Sequence, residues 1–134
     1  SDKTLNLTLS LMQKRGPDAN GSYVELVQNN NIQLLHSRLA IIDLDNRSNQ
    51  PFYANNCVLV FNGEIYNYKE FGNYKSDGEC LIDLYLKLGE KFVKKLDGEY
   101  AIILIDFKKN KLVLEVVNFL EKDKKRPICT PFSK

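Results

Sequence analysis

The chain has 134 residues and a mass of 15.4 kDa, one domain by length, and its 43% hydrophobic and 27% charged residues are a globular rather than a disordered composition. The longest apolar runs, residues 39–42, 57–61 and 101–105, fall far short of the roughly 20 residues that cross a bilayer, and no signal-peptide pattern opens the sequence, so no membrane partner is expected. The formal charge of +2 is uneven: residues 108–134 hold eight basic and three acidic side chains, residues 1–107 eleven and fourteen, and a basic tail without a basic face predicts no nucleic-acid partner.

Residues 2–13 fit two patterns. Leu5, Leu7, Leu9 and Leu11 alternate as in a strand, while Leu5, Leu9 and Met12 fall on one helical face. Arg15-Gly16-Pro17-Asp18 ends the element, because Pro17 pushes Gly16 out of helical angles. Ser22 to Gln28 predicts a strand, Asn29-Asn30-Asn31 a turn, and Ile32 to Asp43 one or two strands with a break at Ser37-Arg38. Asp45 to Gln50 is polar loop. Cys57 to Phe61 predicts a buried strand that stops at Asn62-Gly63, a pair biased to tight turns. Ser76-Asp77-Gly78-Glu79 is a capping box ahead of the helical face Leu81, Leu84, Tyr85 and Leu88, which Gly89 ends. Phe92, Val93 and Leu96 suggest further helical turns, so one helical region over 77–95 is expected. Tyr100 to Phe107 and Lys111 to Val117 predict a hairpin around Lys108-Lys109-Asn110, and residues 118–134 show no clean period. Strands grouped in runs point to two stacked, mainly antiparallel sheets with helices outside.

The reactive residues are few. Cys57, Cys80 and Cys129 make an odd count without a C-x-x-C, and His36 is the sole histidine. That excludes the common zinc spacings, argues against a disulfide framework, and predicts no metal and a reducing cytoplasm. No nucleophile elbow and no glycine-rich phosphate loop occurs.

Six stretches stand in a telling order: Arg15 to Gly21 (R-G-P-D-A-N-G), His36 to Leu44 (H-S-R-L-A-I-I-D-L), Gln50-Pro51, Phe61 to Tyr68 (F-N-G-E-I-Y-N-Y), Ser76 to Glu79 (S-D-G-E) and Leu96 to Ala101 (L-D-G-E-Y-A). Together they closely resemble the glutamine-hydrolysing domain of asparagine synthetases, a class II glutamine amidotransferase. The match runs over residues 12–107, and the R-G-P-D and R-L-A-I-I-D stretches favour the asparagine synthetase branch. The resemblance implies an α+β fold, an Ntn-hydrolase-like αββα sandwich incomplete at both ends. It implies a partial amidotransferase domain over 1–117 and a divergent basic tail over 118–134.

L-Glutamine is the implied ligand, and its zwitterion sets the chemistry. Arg38 is the candidate cation for the α-carboxylate, because a guanidinium fork pairs bidentately with a carboxylate. Glu64 and Asp77 are the candidate partners of the α-ammonium. Asn62, through its side-chain N–H, and Gly63, through its backbone N–H, are the candidate donors to the tetrahedral oxyanion, where one donor is typically worth ~2.7–4 kcal/mol. By residue type alone Arg38 also reads as a surface arginine at a strand end, Asp77 as a first-turn carboxylate favoured by the helix dipole, and Asn62-Gly63 as a plain turn. All five candidates are expected to line one concave site. His36 reads as a packed strand residue, since in this family the α-amine of the nucleophile acts as base.

The sequence departs from the family at both ends. The family's nucleophile is a cysteine at the mature N-terminus, whereas this sequence begins at Ser1 and has no cysteine before Cys57. Cys80, in a first helical turn, reads as a buried thiol rather than a substitute. After the hairpin the family's R-D-x-x-G stretch is missing, and residues 116–127 carry no such motif. The expectation is a glutamine-binding constellation without its nucleophile, inactive alone. In the intact enzyme it would serve a synthetase domain that uses ATP and magnesium, with no cofactor in this chain itself. A catalytically dead binding module and a truncated gene remnant are the alternatives.

Overall fold

The computed structural model describes residues 2–27, 30–39, 46–117 and 128–131. The chain forms two compact units, residues 1–52 and residues 53–133.

In the first unit the ambiguous opening segment is helix α1, Asp2–Met12. Leu5, Leu9 and Met12 are half-buried on one side while Leu7 and Leu11 stay exposed, so the helical period and not the alternation sets the element. Its hydroxyls bond back into the preceding turn, Thr8 Oγ1 to Thr4 O at 2.8 Å and Ser10 Oγ to Leu7 O at 2.7 Å. Strands β1 (Ala19–Val27) and β2 (Asn30–Arg38) pair antiparallel, from Ala19 opposite Arg38 to Val27 opposite Asn30. Two expectations need correction. β1 starts three residues before Ser22, and β2 begins inside the expected Asn29-Asn30-Asn31 turn, because the ladder pairs polar residues as readily as apolar ones. β2 ends at Arg38, as the expected break at Ser37-Arg38 requires; residues 40–45 lie outside the described residues. A short 3-10 turn, Asn46–Ser48, falls in the expected polar loop.

The second unit is built on one five-stranded sheet in the order β3-β4-β5-β6-β7. Its strands are β3 (Phe52–Ala54), β4 (Cys57–Ile65), β5 (Gly98–Asp106), β6 (Lys111–Val117) and β7 (Ile128–Pro131), and β4 to β7 pair antiparallel. The hairpin of β5 and β6 around Lys108-Lys109-Asn110 stands as the sequence predicts. β7 was not legible, because a four-residue edge strand is too short to show a period; its Pro131 sits at the strand end, where a missing N–H costs little.

Helix α2, Cys80–Leu88, and the 3-10 segment Gly89–Lys95 lie against this sheet. The helical region over 77–95 is thus shorter and less regular than expected: residues 77–79 form a turn, and the last seven residues tighten to 3-10 geometry. Leu81, Phe92 and Val93 of this layer are fully buried, as are Leu59, Ile102, Leu104 and Val113 of the sheet. Each such side chain contributes about 1.5–3 kcal/mol. Two hydroxyls tie the layers: Tyr85 donates to Asp106 Oδ2 at 2.9 Å and Tyr100 to Val93 O at 3.2 Å. With two antiparallel sheets and two α-helices among the described residues, the protein is of the α+β class, as an Ntn-hydrolase-like fold requires.

Candidate functional site

Asn62 and Gly63 do not form a turn. β4 runs through them to Ile65, with Asn62 opposite Ala101, Gly63 opposite Tyr100, Glu64 opposite Glu99 and Ile65 opposite Gly98. The reason is steric. Gly63 has φ +127, and a Cβ on it would sit 2.0 Å from Glu99 O; a Cβ on Gly98 would sit 2.1 Å from Glu64 O. A glycine on each strand, Gly63 opposite Tyr100 and Gly98 opposite Ile65, lets the strands close where side chains would hold them apart, so the ladder continues through a dipeptide that usually ends one. The same distortion breaks the burial pattern. Cys57 to Phe61 are buried, Asn62, Gly63 and Glu64 are all exposed, and Ile65 is buried again.

Asp77 meets this strand from the turn ahead of α2. Its carboxylate is 6% exposed, and Oδ2 accepts the Ile65 N–H at 3.0 Å. Burial raises its pKa above the usual carboxylate range, the backbone N–H groups of Ile65, Asp77 and Gly78 pull it back, and the nearby Glu64 charge raises it further. The structure therefore brings Asn62, Gly63, Glu64 and Asp77 together in one unit. The capping box is half formed: Glu79 Oε2 accepts from Lys75 N at 2.8 Å and Ser76 N at 3.3 Å, while Ser76 Oγ is buried without a hydrogen-bond partner.

Asn67, in the stretch F-N-G-E-I-Y-N-Y, has a structural role. Its Oδ1 accepts from Asp97 N at 2.8 Å and its Nδ2 donates to Lys95 O at 3.0 Å, while Tyr66 N donates to Asp97 O at 2.7 Å. F-N-G-E-I-Y-N-Y and L-D-G-E-Y-A are thus two sides of one junction. No spacing rule reveals that, because the partners lie 30 residues apart.

Arg38 belongs to the first unit. Its guanidinium donates to Asn49 Oδ1 at 2.8 Å, and its carbonyl accepts from Asp18 N at 3.0 Å. Here too the motifs meet: Asp18 lies in R-G-P-D, and Gly21 packs so close to Gln50 that a Cβ would overlap its carbonyl. His36 is a half-buried strand residue opposite Gly21.

The three thiols are poor nucleophiles as placed. Cys57 and Cys80 are fully buried, which pushes them up to about 11 and about 12, and burial with the neighbouring Glu90 lifts Cys129 to about 11. The reading of Cys80 as a buried thiol holds. Among the described residues no cluster of three or more His, Cys, Asp or Glu could hold a metal. None of their helices is long and apolar enough to cross a membrane. A cavity of about 570 Å³ lies at the far end of β4 and β5 from Gly63, lined by Asn55, Asn56, Leu86, Asp106, Lys108 and Lys109, none of them an expected site residue.

Asn62, Gly63 and Glu64 on β4 thus stand beside the buried Asp77 ahead of α2. The sequence profile of the glutamine amidotransferase domain matches residues 1–119, and the chain belongs to that family. Its relatives include asparagine synthetase B of Escherichia coli, glutamine-hydrolysing by name, which is 39% identical over 119 residues. A putative glutamine-hydrolysing asparagine synthetase of Methanocaldococcus jannaschii is 34% identical over 128 residues, and Amidase chry2 of Gibberella zeae 37% identical over 122. The alignments cover 81%, 78% and 81% of this chain. The chain spans only 20%, 25% and 18% of the lengths of these relatives, respectively.

Proposed function

We propose that this chain binds L-glutamine as part of the glutamine-hydrolysing domain of an asparagine synthetase-like enzyme. The observation that carries the reading is the Asp77 carboxylate, buried and bonded to the amide that follows Glu64. Two carboxylates at the end of one strand suit an ammonium. Asp77 receives backbone N–H bonds that hold it in place, and Glu64 stays exposed to meet the ligand. In the reading, Asn62 Nδ2 and Gly63 N stabilise the oxyanion formed when the side-chain amide is attacked. For Arg38 the proposal is a role only, pairing with the α-carboxylate. None of Cys57, Cys80 and Cys129 is assigned the attack, since burial keeps all three protonated at neutral pH.

Two of the relatives above are named as asparagine synthetases, which supports a synthetase domain as the consumer of the ammonia and a ligase-type enzyme as the whole, and three cysteines without a C-x-x-C suit a reducing cytoplasm as its compartment. ATP and magnesium would act in that domain and not at the residues described here. The test is calorimetric titration of the chain with L-glutamine, which needs no nucleophile. The wild type should bind, and Glu64→Gln and Asp77→Asn should each weaken binding about tenfold or more, the loss of one charge-assisted contact of about 1.5–3 kcal/mol. Unchanged affinity in both variants would overturn the site.

A further inference from the structure

We propose that the hydroxyl of Ser76 is a third acceptor for the α-ammonium of glutamine, beside Glu64 and Asp77. The inference rests on glutamine being the ligand of this site. An ammonium group carries three N–H donors. Glu64 and Asp77 supply acceptors for two of them. On the side of the buried Asp77 the third also needs an acceptor, because an unpaired donor there forfeits its hydration with nothing in return.

Ser76, the residue before Asp77, carries an acceptor that is not in use. Its side chain is 97% buried, at 3% exposure, yet among the described residues nothing bonds to its Oγ. In an S-x-x-E box the serine hydroxyl ordinarily accepts from the backbone N–H three residues on, while the glutamate reaches back. Here only the return half is made, from Ser76 N to Glu79 Oε2 at 3.3 Å. α2 starts at Cys80 without a side-chain cap, so the hydroxyl is released from capping. It belongs to the residue before Asp77, in the turn that Asp77 Oδ2 fastens to Ile65 N at 3.0 Å. The three acceptors thus come from two adjoining segments, residues 64–65 and 76–77. A buried hydroxyl without a partner destabilises the empty protein, and a bound ammonium removes that cost.

The test compares wild type, Ser76→Ala and Asp77→Asn by calorimetric titration with L-glutamine and with glutaramic acid, which is glutamine without its α-ammonium. Ser76→Ala should weaken L-glutamine binding about tenfold, leave glutaramic acid binding unchanged, and raise the thermal midpoint by deleting an unpaired buried hydroxyl. Equal loss for both ligands would make the effect structural and overturn the proposal. A lowered midpoint with unchanged glutamine affinity would also overturn it, by showing that the hydroxyl caps α2. If L-glutamine binds and depends on Asp77 but not on Ser76, this inference fails alone. If wild type takes up no L-glutamine, the reading of the whole site fails and the inference with it.

Discussion

Asp77 has three backbone donors, the N–H groups of Ile65, Asp77 and Gly78, and still its pKa stands above the ordinary 3.8, since burial outweighs them. A carboxyl with a raised pKa in the fold holds its proton more tightly there than in the unfolded chain. Folded-state stability from this group is therefore greatest below about pH 3.8 and falls as the pH rises through the raised value, above which it is level. Wild type and Asp77→Asn, unfolded in urea across that range, should differ by a pH-dependent midpoint that flattens above it; a constant difference would contradict the shift. Glutamine binding should run the other way, weakening on acidification through the same window, because only the ionised form attracts an ammonium. Part of this was legible in residue types. Arg, Asp and Glu stood out as a complement to a zwitterion, and the resemblance assigned them. The depth of Asp77 was not legible, because an Asp after Ser at a helix start is exposed in most helices and its burial depends on where β4 runs.

At the scale of elements, the junction of β4 and β5 is the clearest departure from local rules. Asn-Gly favours turns strongly, and a turn was the natural expectation at residues 62–63. The long-range partner decided otherwise: Gly98 faces Ile65, Gly63 faces Tyr100, and the ladder runs straight through. Gly63→Ala and Gly98→Ala should each destabilise the fold by about 2–4 kcal/mol, as overpacking against rigid backbone does. Gly89→Ala is the contrasting case. Its φ of +61 with ψ −150 is a conformation that glycine alone adopts readily, but nothing lies within 4 Å of an added Cβ, so only the backbone conformation is penalised, by about 1–3 kcal/mol. Urea denaturation of the three variants measures both, and equal costs would remove the steric account. Other elements followed local rules closely. Gly89 ends α2 with its N–H bonded to Tyr85 O, and the β5–β6 hairpin turns at Asn110, whose φ is +51.

On the scale of the molecule, burial divides the cysteines and the helices. Cys57 and Cys80 lie at 0% exposure in the layer between sheet and helix, whereas Cys129 sits on the edge strand β7. A thiol-specific reagent followed by mass spectrometry should modify Cys129 first. Cys57 and Cys80 should react only at the rate of opening of the core. Simultaneous modification of all three would mean that β4 and α2 open as readily as the sheet edge. α1 is the opposite extreme among the described helices: none of its residues is buried, so its persistence depends on local hydrogen bonds and a half-buried leucine face.

The sequence by itself determined the class and the family, and it nominated the residue types for a glutamine site. Those follow from grouped strands, from motifs in a fixed order, and from charges that match one zwitterion, all of which are carried by residue identity and short spacing. It also determined most of the elements whose period is long enough to read, from α2 to the β5–β6 hairpin. Only the tertiary structure decided that α1 is a helix, that β4 passes through Asn62-Gly63, that Asn67 clamps Asp97, and that Ser76 keeps a buried hydroxyl free of the cap. Each of those turns on a group distant in sequence or on the space left by its absence. Chain connectivity reports such neighbours only after the strands have paired.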